Sequence, residues 1–179
     1  MLLELLIDPT SSIVFQRIKP TKNTMKDKPR KTNEPILNLK NVVKSIAQGF
    51  FIFLVVFITY LNLIKNNFET NLAITVTYST LVLSIMLITY QLKNDKLTIT
   101  NLIFSFKDKV SLIVNFGIIT GLLLYIYLPF FNNVANTSAL TIKWWCIIIL
   151  LVLLAILPFD IFKLIRIKKQ KNKNNNYKN

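Results

Sequence analysis

The sequence contains no histidine and only one cysteine, Cys146. The absence of histidine excludes metal sites with imidazole ligands and catalytic triads that use an imidazole base. A single cysteine excludes an intramolecular disulfide. The first residues lack both a basic region and a small-residue cleavage site, so no signal peptide is expected.

Long apolar runs dominate the remaining composition, with 53% hydrophobic residues and a mean hydropathy of +0.48. Four runs are long enough to cross a hydrocarbon core of roughly 30 Å as helices. They are Val42–Ile64, Leu72–Leu92, Val110–Phe131 and Trp144–Ile165. The fold predicted from this pattern is an all-α integral membrane protein with four transmembrane helices, and the lipid bilayer is its first partner.

Acidic residues are scarce, with 8 against 22 lysines and arginines and a net charge of +14. The other basic residues lie before or at the start of the first run, in the second connection or at its edges, and at the end of or after the last run. Only Lys65 and Lys143 lie in the other two connections. This alternation fits the positive-inside rule. No aromatic platform accompanies the charge, so nucleic acid is not an expected partner.

The topology follows from this charge distribution. Both termini are predicted on the cytoplasmic side of the cell membrane, in a multi-pass protein. Four segments are expected: a half-helix over 1–15, a cytoplasmic proline-containing loop over 16–41, a four-helix domain over 42–167 and a disordered basic tail over 168–179.

Two further motifs lie inside the apolar runs. Gly117 and Gly121 are four residues apart, a spacing that lets a neighbouring helix approach closely, and packing is favoured over a role in a pore. Asp160 and Lys163 are three residues apart near the end of the last run. They are expected to form a modest i,i+3 ion pair at the interface.

The opening segment carries the least expected residues. Glu4 and Asp8 lie four residues apart in an apolar stretch, and Pro9 follows directly. On a helix both carboxylates share one face, and the proline frees the carbonyl of Leu5. Oxygen ligands of this kind suit hard cations such as Ca²⁺. The alternative, an interfacial amphipathic helix with solvated acids, is equally open on these grounds.

A family resemblance bears on that choice. ELLIDPTSSIVF, followed by Met25, Pro29 and Arg30, resembles the end of the sixth transmembrane helix and the next loop of P-type cation-transporting ATPases, most closely bacterial relatives of the calcium pumps. SIAQGFF at 45–51, TYSTLVLS at 77–84 and PFDIFKLIR at 158–166 resemble parts of the seventh, eighth and tenth helices. The resemblance covers nearly the whole chain and includes only the C-terminal transmembrane region.

The resemblance implies that Glu4 and Asp8 are ligands of a transported cation such as Ca²⁺. It also implies that the chain begins within an ion-binding helix. Two positions differ from the family pattern: Ser11 stands at a sulfur position, and Ile85 stands where relatives often carry a polar residue. The second difference implies that a ligand from the eighth helix is missing here.

The catalytic parts of the resembled family have no counterpart in the sequence. There is no D-K-T-G-T phosphorylation motif and no nucleotide-binding region. The full-length family uses ATP and Mg²⁺, but no cofactor is expected in this chain. Phosphoryl transfer needs a positioned acceptor and phosphate-binding groups, so the chain is not expected to be an enzyme on its own.

Two hypotheses of function remain. The first is a C-terminal membrane fragment of a P-type cation-transporting ATPase, which supplies part of the cation site and its supporting helices to the missing N-terminal part of the pump. The second is a free-standing four-span membrane protein that regulates or scaffolds a membrane partner. An independent small transporter is disfavoured because Asp160 is the only acid within the four spans.

Overall fold

The computed structural model describes residues 39–93 and 109–176, together with Ser12, Ile13 and Gln16. Every regular element in the two long ranges is a helix. These are α1 (Leu39–Lys65), α2 (Thr70–Lys93), α3 (Lys109–Tyr127), α4 (Pro129–Ala135) and α5 (Ile142–Asn176). The predicted cation residues Glu4 and Asp8, and Pro9 beside them, lie outside the described residues.

Four of these helices are long and apolar enough to cross a membrane. Their spans are Val42–Lys65, Thr70–Leu92, Lys109–Tyr127 and Ile142–Ile165. The predicted all-α fold with four transmembrane helices is thereby confirmed. The side of the membrane on which each end lies stays a prediction from charge.

The turn between α1 and α2 is closed by asparagine rather than glycine. Asn67 adopts a left-handed conformation with φ of 58°, which asparagine tolerates better than most residues. The amide of Phe68 then donates to the carbonyl of Leu63 at 3.1 Å, a bond typical of helix C-termini that end in this conformation. The Phe68 ring packs edge-on against Trp144 at a centroid distance of 5.4 Å. The turn is therefore tied to the start of α5.

Helix α3 ends at Tyr127, four residues before the end of the third apolar run. The cause is Pro129, which forces the preceding Leu128 into an extended conformation with φ −79° and ψ 123°. The proline then starts the short helix α4, where its missing N–H costs nothing. The apolar composition of the run continues past the break, which is why composition alone places the end too late.

Helix α5 contains Pro158 and nevertheless continues to Asn176. Residues 168–176, for which composition predicts disorder, are thus a helical extension of the last span in the structure. Lysine and glutamine are good helix formers, and positive charge near a helix C-terminus interacts favourably with the helix dipole.

Helix α2 is the centre of the bundle, since it packs against α1, α3 and α5. Half of its most apolar window is buried, and Ala73, Val76 and Val82 on it are almost fully buried. The other three long helices expose many large apolar side chains. In a membrane these side chains face lipid, as expected for outer helices.

Candidate functional site

The predicted cation site is not assembled within the described residues. No group of three or more His, Cys, Asp or Glu side chains in that part of the chain is close enough to hold a metal ion. The assignment of Glu4 and Asp8 as cation ligands, with Pro9 opening the backbone beside them, therefore stays a prediction.

The two glycines predicted to admit a neighbouring helix lie on α3. Gly117 is exposed, and a Cβ placed there would meet no atom within 4 Å. Gly121 is half-buried. Among the described residues no helix packs on Gly117, so this face of α3 is open. Its role as a packing site for another helix stays a prediction.

Asp160 and Lys163, the predicted ion pair, lie in a cluster that the structure builds from three helices. We call Gln48 of α1, Gln91 of α2, and Asp160 and Lys163 of α5 the three-helix junction. Gln48 is 1% exposed, Gln91 2% and Asp160 8%. The side chain of Asp160 is thus buried within the helix bundle, and such a group must be hydrogen-bonded to be tolerated.

The junction is held by a chain of hydrogen bonds. Gln48 Nε2 donates to Gln91 Oε1 at 3.0 Å, and Gln91 Nε2 donates to Asp160 Oδ1 at 2.9 Å. A longer contact of 3.5 Å joins Gln91 Nε2 to the carbonyl oxygen of Ile156. Each of the three helices therefore contributes a polar side chain to one continuous chain of bonds.

Lys163 supplies the charge that the junction needs. Its Nζ donates to the backbone carbonyl oxygen of Gln91, close to the C-terminal end of α2. Carbonyls in the last turn of a helix have no partner within the helix and carry partial negative charge. Lys163 therefore caps α2 and also places a positive charge one turn from Asp160 on α5.

Apolar side chains of α1 and α5 pack against each other next to the junction. Ile52 and Val55 of α1 form a buried cluster with Ala155 of α5. Phe51 packs edge-on against Phe159, with ring centroids 5.8 Å apart and an interplanar angle of 81°. These contacts bring α1 and α5 together beside the hydrogen-bonded chain, where an unpaired polar group would be costly.

A second polar contact joins α2 to α3. Tyr90 Oη donates to Asn115 Oδ1 at 2.5 Å, and both residues are buried. Asn115 also lines a cavity of about 260 Å³ between α2, α3 and α5, whose other lining residues are apolar. Those residues are Leu83, Met86, Leu87, Ile119, Ile149, Val152 and Leu153. A cavity with so little polar lining is expected to exclude water.

At the opposite end of the bundle, the connection between α4 and α5 is hydrogen-bonded to the helices. The amide of Ser138 donates to Thr75 Oγ1 of α2 at 3.0 Å. Tyr127 Oη donates to the carbonyl of Leu140 at 2.8 Å and accepts a bond from Trp145 Nε1 at 3.1 Å. This connection therefore lies against the helix ends instead of extending away from them.

Sequence reasoning missed Gln48, Gln91 and Asn115. The available signal was a carboxamide inside an apolar run, which is expensive in a membrane unless it is paired. The pairing partners lie 43 residues apart for Gln48 and Gln91 and 69 residues apart for Gln91 and Asp160. Sequence spacing gives no indication of such contacts.

The described arrangement holds three helices together through buried hydrogen bonds. Comparison with known proteins agrees with a membrane role. A family model described as "Cation transporting ATPase, C-terminus" matches residues 1–165. A search of curated proteins finds no match.

Proposed function

The chain belongs to the family of cation-transporting ATPases, as their C-terminal membrane region, and on that premise we propose that it completes and supports the cation-binding site of such a pump. The match over residues 1–165 is the observation that carries this proposal. The four membrane-competent helices agree with it in number and in length.

Within this proposal Glu4 and Asp8 are ligands of the transported cation. Pro9 frees a backbone carbonyl beside them, so that one helical turn presents several oxygen atoms. Ca²⁺ takes ligands of this type. Helices α1 to α5 act as the scaffold that holds this segment, with the three-helix junction fixing α1, α2 and α5 relative to one another.

Transport would be driven from outside these residues. ATP and Mg²⁺ bind to the catalytic domains of the pump, and phosphorylation there changes the access of the cation site. The residues of this chain bind and orient the cation and exclude lipid and water from it. The chain by itself is therefore proposed to be inactive as an ATPase.

The proposal is tested by restoring the rest of the pump. The chain is produced together with a polypeptide that carries the catalytic domains and the preceding helices of a calcium-transporting relative, and ATP-dependent uptake of Ca²⁺ into vesicles is measured. We expect uptake only when both polypeptides are present. Glu4→Gln and Asp8→Asn should each lower the apparent Ca²⁺ affinity by about tenfold or more, because affinity depends on the number of charged ligands.

The matched control is Glu69→Gln, which removes an exposed carboxylate at the start of α2 and should leave uptake unchanged. A chain that co-purifies with an already complete pump, and still does so after Glu4→Ala and Asp8→Ala, would contradict the proposal. That result would favour the regulator or scaffold hypothesis.

A further inference from the structure

The side chain of Gln48 is only half satisfied in the three-helix junction. Its Nε2 donates to Gln91, whereas its Oε1 is buried and has no hydrogen-bond partner among the described residues. The side chain is 1% exposed, so bulk solvent does not reach the oxygen. Buried polar groups without a partner are rare and need a physical explanation.

Exchanging the oxygen and nitrogen of an amide does not remove the problem. Asp160 Oδ1 accepts the bond from Gln91 Nε2, so Gln91 turns its Oε1 towards Gln48. Gln48 must then turn its Nε2 towards that oxygen. The orientation of both amides is thus fixed by Asp160, and the oxygen left over is always that of Gln48.

Leaving this oxygen without a partner is expensive. A buried acceptor that loses its partner costs about 1–3 kcal/mol, and a membrane interior supplies no bulk water to compensate. A hydrogen-bond donor at this position would remove that cost. The donor must be small, because the residue is already enclosed.

The chemistry of the neighbouring oxygens excludes a metal cation as the partner of Gln48 Oε1. Ca²⁺ needs six to eight oxygen ligands. The nearby oxygens Gln91 Oε1 and Asp160 Oδ1 already accept bonds from amide nitrogens, and the backbone oxygen of Gln91 accepts from Lys163. Gln48 Oε1 therefore needs one small hydrogen-bond donor, and an O–H group can supply it.

We propose that a buried water molecule binds at Gln48 Oε1 and forms the end of the hydrogen-bonded chain that begins at Asp160. The water donates a hydrogen bond to Gln48 Oε1, the atom of the junction that has no partner among the described residues. The junction is then a hydrated polar site inside the helix bundle. The proposal is independent of the transported cation and of Glu4 and Asp8.

The test is a solid-state NMR measurement on the full-length chain in lipid bilayers. The protein is deuterated, its glutamine side-chain amides are labelled with ¹⁵N, and transfer of magnetisation from water is followed over short mixing times. We expect the Gln48 signal to grow faster than the Gln91 signal. Gln91 is a matched control, because it is equally buried and both ends of its amide bond to protein atoms.

Build-up at Gln48 that is no faster than at Gln91 would overturn the proposal. A second measurement needs no signal assignment: a crystal structure from a lipidic phase, at a resolution that shows ordered water. Solvent density about 2.5–3.0 Å from Gln48 Oε1 supports the proposal. A protein donor at that position contradicts it.

Discussion

Gln91 is the residue on which the packing of three helices depends most directly. Its side chain accepts a bond from Gln48 and donates one to Asp160, while its backbone carbonyl accepts from Lys163. Its amide thus bonds to side chains of both other helices of the junction. Replacing Gln91 therefore affects α1 and α5 together.

The first prediction concerns Gln91→Leu, which keeps the approximate size but removes both polar atoms. The buried side chains of Asp160 and Gln48 then each lose the hydrogen bond to Gln91. We expect the free energy of unfolding to fall by about 1–3 kcal/mol, measured by reversible unfolding in mixed micelles titrated with SDS. Asn71→Leu, at an exposed position of the same helix, is the control and should change stability by no more than about 0.5 kcal/mol.

The second prediction concerns Tyr90→Phe, which deletes the donor to Asn115. Hydrogen bonds between membrane helices contribute about 0.6 kcal/mol on average and up to about 1.7. We expect Tyr90→Phe to lower the free energy of unfolding by an amount within this range in the same assay. In a chain that already carries Asn115→Leu, most of this effect of Tyr90→Phe should be absent, because the hydrogen bond is already lost. Tyr60→Phe on α1 serves as the control, because its hydroxyl has no hydrogen-bond partner among the described residues. Equal effects of the two substitutions would contradict the assignment.

At the scale of elements, α2 combines a central position with an unusual number of buried hydroxyl groups. Thr75, Ser79 and Thr80 are fully buried. Their hydroxyls donate to carbonyls four residues earlier, at 2.7 Å, 2.7 Å and 2.8 Å. These bonds stay within the helix, so a hydroxyl can be buried without a partner from another helix. The helix can thus lie at the centre of the bundle although it is not uniformly apolar.

One of these hydroxyls also has a partner outside the helix, which gives the third prediction. Thr75 Oγ1 accepts a bond from the amide of Ser138, whereas Thr80 bonds only to its own helix among the described residues. Thr75→Val should therefore accelerate hydrogen exchange at the Ser138 amide by about fivefold, because the loss of about 1 kcal/mol of local stability exposes the amide more often. Thr80→Val, an equally buried control, should leave that amide unchanged. The same acceleration in both variants would show a general loosening of α2 instead.

At the scale of the whole molecule, the number of spans fixes which loops share a side of the membrane. Four helices able to cross the membrane place the α1–α2 turn and the α4–α5 connection together. The start of α1 and the start of α3 lie on the other side. The distribution of basic residues predicts that this second side is the cytoplasm.

The fourth prediction tests this arrangement with single cysteines introduced after Cys146→Ser. Glu69→Cys and Asn136→Cys should react with a membrane-impermeant thiol reagent applied from outside intact cells. Lys44→Cys and Lys109→Cys should react only after the membrane is opened. All four positions are exposed on the helix bundle. Reaction of Lys44→Cys and Lys109→Cys after the membrane is opened is the control that a failure to react from outside reports sidedness. Labelling of Lys109→Cys from outside would contradict the topology.

The sequence was a good guide to the spans and a poor guide to their contacts. Each run near twenty apolar residues becomes a helix because the bilayer leaves backbone groups no other partner. The end of the third span was placed too late because Pro129 breaks the helix within an apolar run. Spacing singled out Asp160 and Lys163 as an ion pair, which stays a prediction, but it indicated neither the burial of Asp160 nor the hydrogen bonds of both residues to Gln91.

The sequence alone determined the class of protein, the number of membrane-spanning helices and the family. These properties follow from local hydrophobicity, and the family follows from short motifs read in order. Only the tertiary structure decided that Gln48, Gln91 and Asp160 meet, because the packing of α1 and α5 against α2 brings together residues far apart in the chain. The hydropathy of a segment does not indicate which distant residues its side chains will contact. A hydrogen bond, by contrast, requires two specific atoms within about 3 Å of each other.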